Sequence, residues 1–405
     1  MKRFFLLFTL LALLSGCGKD DEPKPEPTPN PPSQNDPDNP DNEKINITLA
    51  PTTLSFEVQG GTLDLTVTCT TGKTWTLSGG ESWCTASGTN GSNGATVTFT
   101  VEANPSPDER NATYTFTCGD KTAKLVVTQK QQTVTTVHVP TKGTLASVLA
   151  ENNLEASSIV LLKITGEIND MDILKIQEMT NLMNLDISGT NLMELPGGAF
   201  YELMNLKKVI LPSTLTSIGK SAFRESGLQS IEIPASVGTI GNGAFYNCKA
   251  LTTVTFEKGS QLKTIGGTTN NNPFNTFNNC TSLTDIEIPA SVETIESNAF
   301  KGCTALTTVT FEKGSQLKTI NRYAFENCHN LKTVDMSACT QVESIVLAFY
   351  YCNSLQLFKI GRIEPPFTSF PGLPIFSILK VPAESVEAYE IAYGWQQFSS
   401  ISALD

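Results

Sequence analysis

The chain has 405 residues, room for two or three domains, with 39% hydrophobic and 17% charged residues. Thr, Asn, Ser and Gly are abundant, a composition that suits strands and turns. The net charge of −12 argues against nucleic acid as a partner, because nothing here would neutralise a phosphate backbone. Part of that charge lies ahead of the expected folded regions: residues 18–44 hold three lysines against eight acidic residues.

Residues 1–17 begin with Lys2 and Arg3, continue with an apolar run from Phe4 to Leu14, and end in small residues before Cys17. The run is too short to span a membrane as a helix and reads as a secretory signal. Leu14-Ser15-Gly16-Cys17 resembles the bacterial lipobox, which implies cleavage before Cys17 and lipidation of that residue. The following Gly18-Lys19-Asp20-Asp21-Glu22 resembles the export tag that sends some lipoproteins to the outer face of the outer membrane; otherwise it is the start of a solvated acidic linker. Residues 18–46 form that linker. Eight prolines fall within 23–44, so no packed core is expected, and an extended Pro-rich chain spans roughly 3.1 Å per residue.

Residues 47–131 change to a period of two. Leu63, Leu65, Val67 and Cys69 alternate with polar residues, as do Val97, Phe99 and Val101, then Tyr114, Phe116 and Cys118, then Leu125 and Val127. Short alternating strands separated by Gly-rich turns predict an antiparallel β-sandwich. LSFEVQGGTLDLTVT (54–68), Trp75 in W-x-L, Ser82-Trp83, VTFTVEANPSPDERNATYTFT (97–117) and LVVTQK (125–130) resemble, in order, the BACON domain, an immunoglobulin-like module. The resemblance implies either carbohydrate binding or a spacer role. Trp75 and Trp83 accordingly have two readings, as sugar-stacking rings or as plugs of a small core. One pair among Cys69, Cys84 and Cys118 could be bridged in an oxidising compartment, but three cannot all pair internally.

Residues 132–142 are expected to be a linker. Thr144 to Asn153 carries Leu145, Val148 and Leu149 at helical spacing, with Thr144 as N-cap, and would cover the open end of a repeat array. The array itself, 143–365, is written in a recurring phrase: AFYNCKALTTVTF from Ala244, AFKGCTALTTVTF from Ala299, AFENCHNLKTVDM from Ala324 and AFYYCNSLQLFKI from Ala348. Variants start at Ala199, Ala222 and Asn275. Phe200, Phe223, Phe245, Phe277, Phe300, Phe325 and Phe349 step by 23, 22, 32, 23, 25 and 24 residues. That period, with Leu and Ile at fixed offsets, predicts a leucine-rich repeat solenoid. The repeats, with TLASVLAENNL, KITGEIND and EMTNLMNLDISGTNL, resemble BspA-like leucine-rich repeat proteins. Residues 366–405 resemble that family's C-terminal cap, with Trp395 and Phe398 closing the end. The expected fold is therefore β-rich and multidomain: an immunoglobulin-like β-sandwich followed by a solenoid whose parallel sheet forms a horseshoe or arc, with helical caps.

Within each repeat, Leu-x-x-Val/Ile-x-Ile/Phe places three residues inward, for example Leu228, Ile231 and Ile233, and the intervening ones outward. Cys248, Cys280, Cys303, Cys328 and Cys352 share one slot and form a column of parallel side chains, a geometry that suits buried thiols better than disulfides. The 32-residue step contains an insertion within Gly266–Phe274, a polar surface loop. Outward positions on the concave face offer a candidate recognition surface: Glu232, Thr255, Asp285, Glu287, Thr310 and Asp335. Tyr246 and Tyr350, each directly after a repeat Phe, are candidate aromatic contacts, alongside Trp75 and Trp83.

Catalytic machinery is not expected. The two histidines, His138 and His329, stand apart, and His329 is adjacent to Cys328 in the chain, so the two side chains should diverge. No zinc-ligand spacing, HExxH or G-x-S-x-G occurs, and Gly219-Lys220-Ser221 fails as a phosphate loop because Thr214 stands at the first glycine. No catalytic residue, metal or cofactor is assigned. The sequence reading is a non-enzymatic, lipid-anchored outer-membrane protein facing outward, which binds host, matrix or cell-surface protein through its repeats. The alternative is a glycan-binding accessory of a polysaccharide-uptake system, acting through the BACON-like domain.

Overall fold

A computed structural model describes residues 44–106, 108–266, 275–369 and 377–404. The expected signal and lipobox with Cys17, all but the last residues of the linker, and nearly all of the insertion after Gly266 lie outside the described residues.

The first region is a two-sheet sandwich. One sheet runs in the order Ile47–Ala50, Gly61–Cys69, Ala95–Val101, Cys84–Ala86; the other runs Thr53–Phe56, Lys121–Gln129, Arg110–Cys118, Thr74–Gly79, Asn90–Ser92. All pairings are antiparallel except Thr53–Phe56 with Val126–Gln129. Leu65, Val67, Val97, Phe99, Phe116, Leu125 and Val127 fill the space between the sheets, whereas Leu63 is 39% exposed. Gln129 is fully buried, yet its amide is satisfied: Nε2 donates to the carbonyls of Glu57, Val58 and Glu102, and Oε1 accepts from Arg110. Cys69, Cys84 and Cys118 are buried free thiols.

The segment expected as a linker contains the solenoid's first strand. Val134–Val139 pairs in parallel with Leu161–Gly166, and Val137 and Val139 face the core because strand alternation turns them inward. Helix Leu145–Glu151 buries Leu145 and Leu149, but Thr144 does not cap it with its side chain. That task falls to Asp172, on a second helix, Asp170–Gln177, which hydrophobic spacing did not reveal. Buried Asp172 accepts from Gly143 N at 2.7 Å, Leu145 N at 2.9 Å and Asn169 N at 2.9 Å, and so joins the two cap helices.

Each repeat coil then has a strand of the long sheet, a two- or three-residue strand of a second sheet, and a turn carrying Ala-Phe, or Thr276-Phe277 in one coil. The long sheet is in two six-stranded pieces, one ending at Thr253–Phe256 and the next beginning at Asp285–Ile288. The second sheet is divided as well, between Thr239–Ile240 and Thr264–Ile265. Leu228, Ile231, Ile233, Leu283, Ile286 and Ile288 point inward and are buried, as the repeat pattern requires.

Beside the sheets runs a continuous aromatic spine. The repeat phenylalanines stack with centroids 5.1 Å (Phe223–Phe245), 5.0 Å (Phe245–Phe277), 5.2 Å (Phe277–Phe300), 5.0 Å (Phe300–Phe325) and 5.1 Å (Phe325–Phe349) apart. Interplanar angles stay between 3° and 7°. The amide of each Phe donates to the carbonyl one residue before the next Phe, as in Phe277 to Ala299 and Phe300 to Ala324. The cysteine column serves the same ladder. Cys280 Sγ donates to Phe245 O at 3.2 Å, Cys303 to Phe277 O at 3.2 Å, Cys328 to Phe300 O at 3.3 Å and Cys352 to Phe325 O at 3.2 Å. These thiols are free and buried, and desolvation raises the Cys303 pKa to about 12.

The tight turn around each Phe needs left-handed backbone. The residue two after Phe has φ of 58° at Glu202 and Glu225, 60° at Asn247, 61° at Asn279 and Asn327, and 60° at Tyr351. The residue two before it is also left-handed at Gly198, Ser221, Gly243, Asn298, Tyr323 and Leu347. Gly and Asn accept this conformation readily, whereas other side chains are strained by roughly 1–2 kcal/mol.

Long and short links between the two strands interlock. Glu257 and Glu312, in the two FEKGS links, accept from Ala235 N and Ala290 N of the preceding short link, both at 2.9 Å. At the C-terminal end, Phe358 meets Phe349 edge-on at 5.5 Å, and Trp395 and Phe398 pack on Phe358. The indole of Trp395 donates to Pro366 O at 3.0 Å. One further strand, Ser400–Ala403, pairs with Ile378–Val381 and completes the sheet.

Candidate functional site

Strand register decides which outward side chains are neighbours. Glu232 is opposite Thr255, Ser230 opposite Thr253, Asp285 opposite Thr308, and Glu287, Thr310, Asp335 and Lys359 are successive rungs. The predicted residues thus occupy the open face of the long sheet, but as two runs separated by the break between Thr255 and Glu287. A shallow groove of about 470 Å³ lies over the first run, lined by Lys208, Ile210, Ser230, Glu232, Thr253 and Thr255. A second groove, about 320 Å³, lies at the break and is bordered by Thr255, Glu257, Lys258, Glu287 and Glu312. Glu257 and Glu312 were not expected at the face, because their links showed no inward–outward alternation.

The face is electrostatically uneven. At one end Asp186 pairs with Lys163 at 3.4 Å, and at the other Asp335 pairs with Lys359 at 2.9 Å. Both carboxylates also accept from a serine two residues on, Ser188 Oγ at 2.6 Å and Ser337 Oγ at 2.6 Å. Partial burial pushes the Asp335 pKa up, but the Ser337 hydroxyl and then the Lys359 ammonium outweigh it and hold the group below its ordinary value. Asp285 accepts from Thr307 Oγ1 at 3.0 Å. Between the two ion pairs, Glu232 and Glu287 are exposed, and neither has an ion-pair partner among the described residues.

The four aromatic candidates separate. Trp75 is only 1% exposed, donates Nε1–H to Ser92 O at 2.9 Å and packs on Phe116, so it is a core side chain and is corrected from a ligand contact. Its strand turns it inward, where the small sandwich needs volume. Trp83 is half-buried, and one face is covered by the Arg110 guanidinium, 4.3 Å from the ring centroid. Tyr246 shares Arg224 with Tyr201, at 5.3 and 5.4 Å. Tyr350 is half-buried and lies with Tyr323 and Tyr351, two residues that sequence reasoning missed. Among the described residues no cluster of three or more His, Cys, Asp or Glu side chains could hold a metal.

A parallel-sheet solenoid with an aromatic spine and an open polar face defines a leucine-rich repeat protein. Residues 176–273 and 270–364 match the BspA type leucine rich repeat region in six copies, and residues 73–130 match BACON, a candidate N-terminal binding domain. The repeats are therefore of the BspA-like leucine-rich type, and the domain ahead of them is BACON-like. No curated protein matches it in sequence. Among solved structures it is similar to a leucine-rich repeat protein from Bacteroides ovatus (18% identity, TM-score 0.37, 72% of this chain and 67% of that one). It is also similar to a leucine rich cell surface protein from Faecalibacterium prausnitzii (17% identity, TM-score 0.29, 72% and 86%). A third likeness is to the Bacteroides ovatus GH5 xyloglucanase in complex with a XXXG heptasaccharide (16% identity, TM-score 0.20), where 35% of this chain covers 45% of that one.

Asp335→Asn should lower stability at neutral pH by about 1 kcal/mol, allowing for solvent screening. Because the folded pKa is depressed, the wild-type advantage is present above the ordinary aspartate value of about 3.9 and disappears as pH falls through the folded value. Denaturant midpoints of both proteins across an acid series would check this.

Proposed function

We propose that the chain is a non-enzymatic binding protein that recognises a basic surface on a host, matrix or neighbouring-cell protein through the open face of its repeats. The observation that carries this reading is the acidic centre of the long sheet, where Glu232 and Glu287 have no ion-pair partner among the described residues and carboxylates outnumber the lining Lys208 and Lys258. Glu232 and Glu287 are exposed between two neutralised ion pairs, Lys163–Asp186 and Asp335–Lys359. Several coils present a wide, shallow surface, which suits a protein partner better than a small molecule. A surface with an excess of one sign accelerates association with its opposite and makes it salt-dependent. The BACON-domain glycan reading has lost support at Trp75, which is in the core, and at the covered face of Trp83.

The double variant Glu232→Gln, Glu287→Gln preserves shape and hydrogen-bonding capacity. Its association with proteins captured from mucus or matrix extract should slow by on the order of tenfold at low salt. An unchanged rate and an unchanged salt dependence would reject the proposed face.

We also propose that lipid on Cys17 anchors the protein to the outer membrane, with the acidic, Pro-rich segment holding the folded part outward. Support comes from the order of the first residues: Lys2-Arg3, the apolar run, then Leu14-Ser15-Gly16-Cys17. Cys17→Ser should move the protein from the membrane fraction to the released fraction; retention in the membrane fraction would contradict the anchor.

A further inference from the structure

The turns that carry the Phe spine also carry an aromatic cluster, which the open sheet face does not use. Tyr350 and Tyr351 have ring centroids 4.0 Å apart with planes at 40°, and Tyr323 from the preceding coil lies 6.0 Å from Tyr350 at 56°. The rings are inclined to one another rather than stacked flat. Tyr351 is 45% exposed, and Tyr323 and Tyr350 are half-buried. Arg322 and His329, both exposed, belong to the same coil as Tyr323, and His329 Nδ1 lies 3.2 Å from the Tyr351 carbonyl.

The backbone brings the extra rings to Tyr350. Tyr323 and Tyr351 sit at φ of 62° and 60°, left-handed positions that other coils fill with Gly198, Gly243, Asn247 or Asn327 and also with Glu202, Ser221, Glu225 or Leu347. Tyrosine, like the last four, is less suited to that conformation than Gly or Asn, and at these two positions the turn sets a phenol ring beside Tyr350. A core role does not account for the placement, because the spine is already complete one layer below at Phe325 and Phe349, 5.1 Å apart. The upstream tyrosines differ: Tyr201 and Tyr246 both face Arg224.

We propose that Tyr323, Tyr350 and Tyr351 form a carbohydrate-binding ledge on the turn ridge. Phenol rings offer apolar faces to sugar C–H groups and hydroxyls to sugar oxygens, and exposed Arg322 and His329 add polar contacts at the rim. Three rings match one or two sugar units. The inference is independent of the acidic face.

The test uses the full chain on a printed array of defined oligosaccharides, followed by titration with the oligosaccharide that binds most strongly. Tyr351→Asn and Tyr323→Asn suit left-handed backbone, so each should keep or raise the melting temperature. Each should weaken sugar binding by about tenfold, the scale of one lost aromatic contact, while Glu232→Gln, Glu287→Gln leaves it unchanged. Absence of saturable binding by the wild type, or equal binding by the stable tyrosine variants, would overturn the ledge. So would variants that lose capture of proteins from mucus extract while array binding persists.

Discussion

The stacking of the repeat phenylalanines is the constraint on which the solenoid depends. A coil of this length cannot bury its own apolar side chains, and each Phe becomes interior only when the next coil closes over it. Ring spacings of 5.0 to 5.2 Å along Phe223–Phe325 come close to the separation of neighbouring strands. Ring packing and backbone ladder therefore reinforce one repeat distance. The thiols extend this agreement, since each Cys hydrogen has a Phe carbonyl of the preceding coil to bond, as in Cys303 to Phe277. In the first two coils the same slot holds buried Leu203 and Ser226, and an unbonded polar side chain would be penalised there.

The spine also explains how the chain tolerates the insertion after Gly266. Both sheets are divided near that point, yet Phe245 and Phe277 remain stacked at 5.0 Å with planes 7° apart. Continuity passes along the aromatic column while the open face gains a groove between Thr255 and Glu287. The same scaffold holds two chemically different surfaces. The long sheet displays carboxylates and hydroxyls in register, and the turn ridge displays whatever the positions around each Phe carry.

Much of this was legible because it repeats. The Phe column, the Cys column and the inward Leu-x-x-Ile-x-Ile pattern could each be read from spacing, and the outward columns followed from strand alternation. What did not repeat was harder to see. Val134–Val139 is a single short strand that becomes a strand only by pairing with Leu161–Gly166. Asp172 caps a helix 27 residues away in sequence, a contact no local pattern encodes. Trp75 and Trp83 look alike in sequence, but one is in the core and the other meets Arg110. Tyr323 and Tyr351 gain their significance from meeting Tyr350 across two coils, which hydrophobic periodicity does not report.

The central claim is that the Phe spine, more than either sheet, holds the coils together. Phe300→Ala removes the ring between Phe277 and Phe325. Equilibrium unfolding of this variant, followed by thiol labelling of the neighbouring Cys303 and Cys328, tests that claim directly. The expected result is a loss of about 3–5 kcal/mol, together with faster labelling of both thiols under native conditions. A loss below about 1 kcal/mol, less than a well-packed core truncation produces, with both thiols as protected as in the wild type, would contradict it.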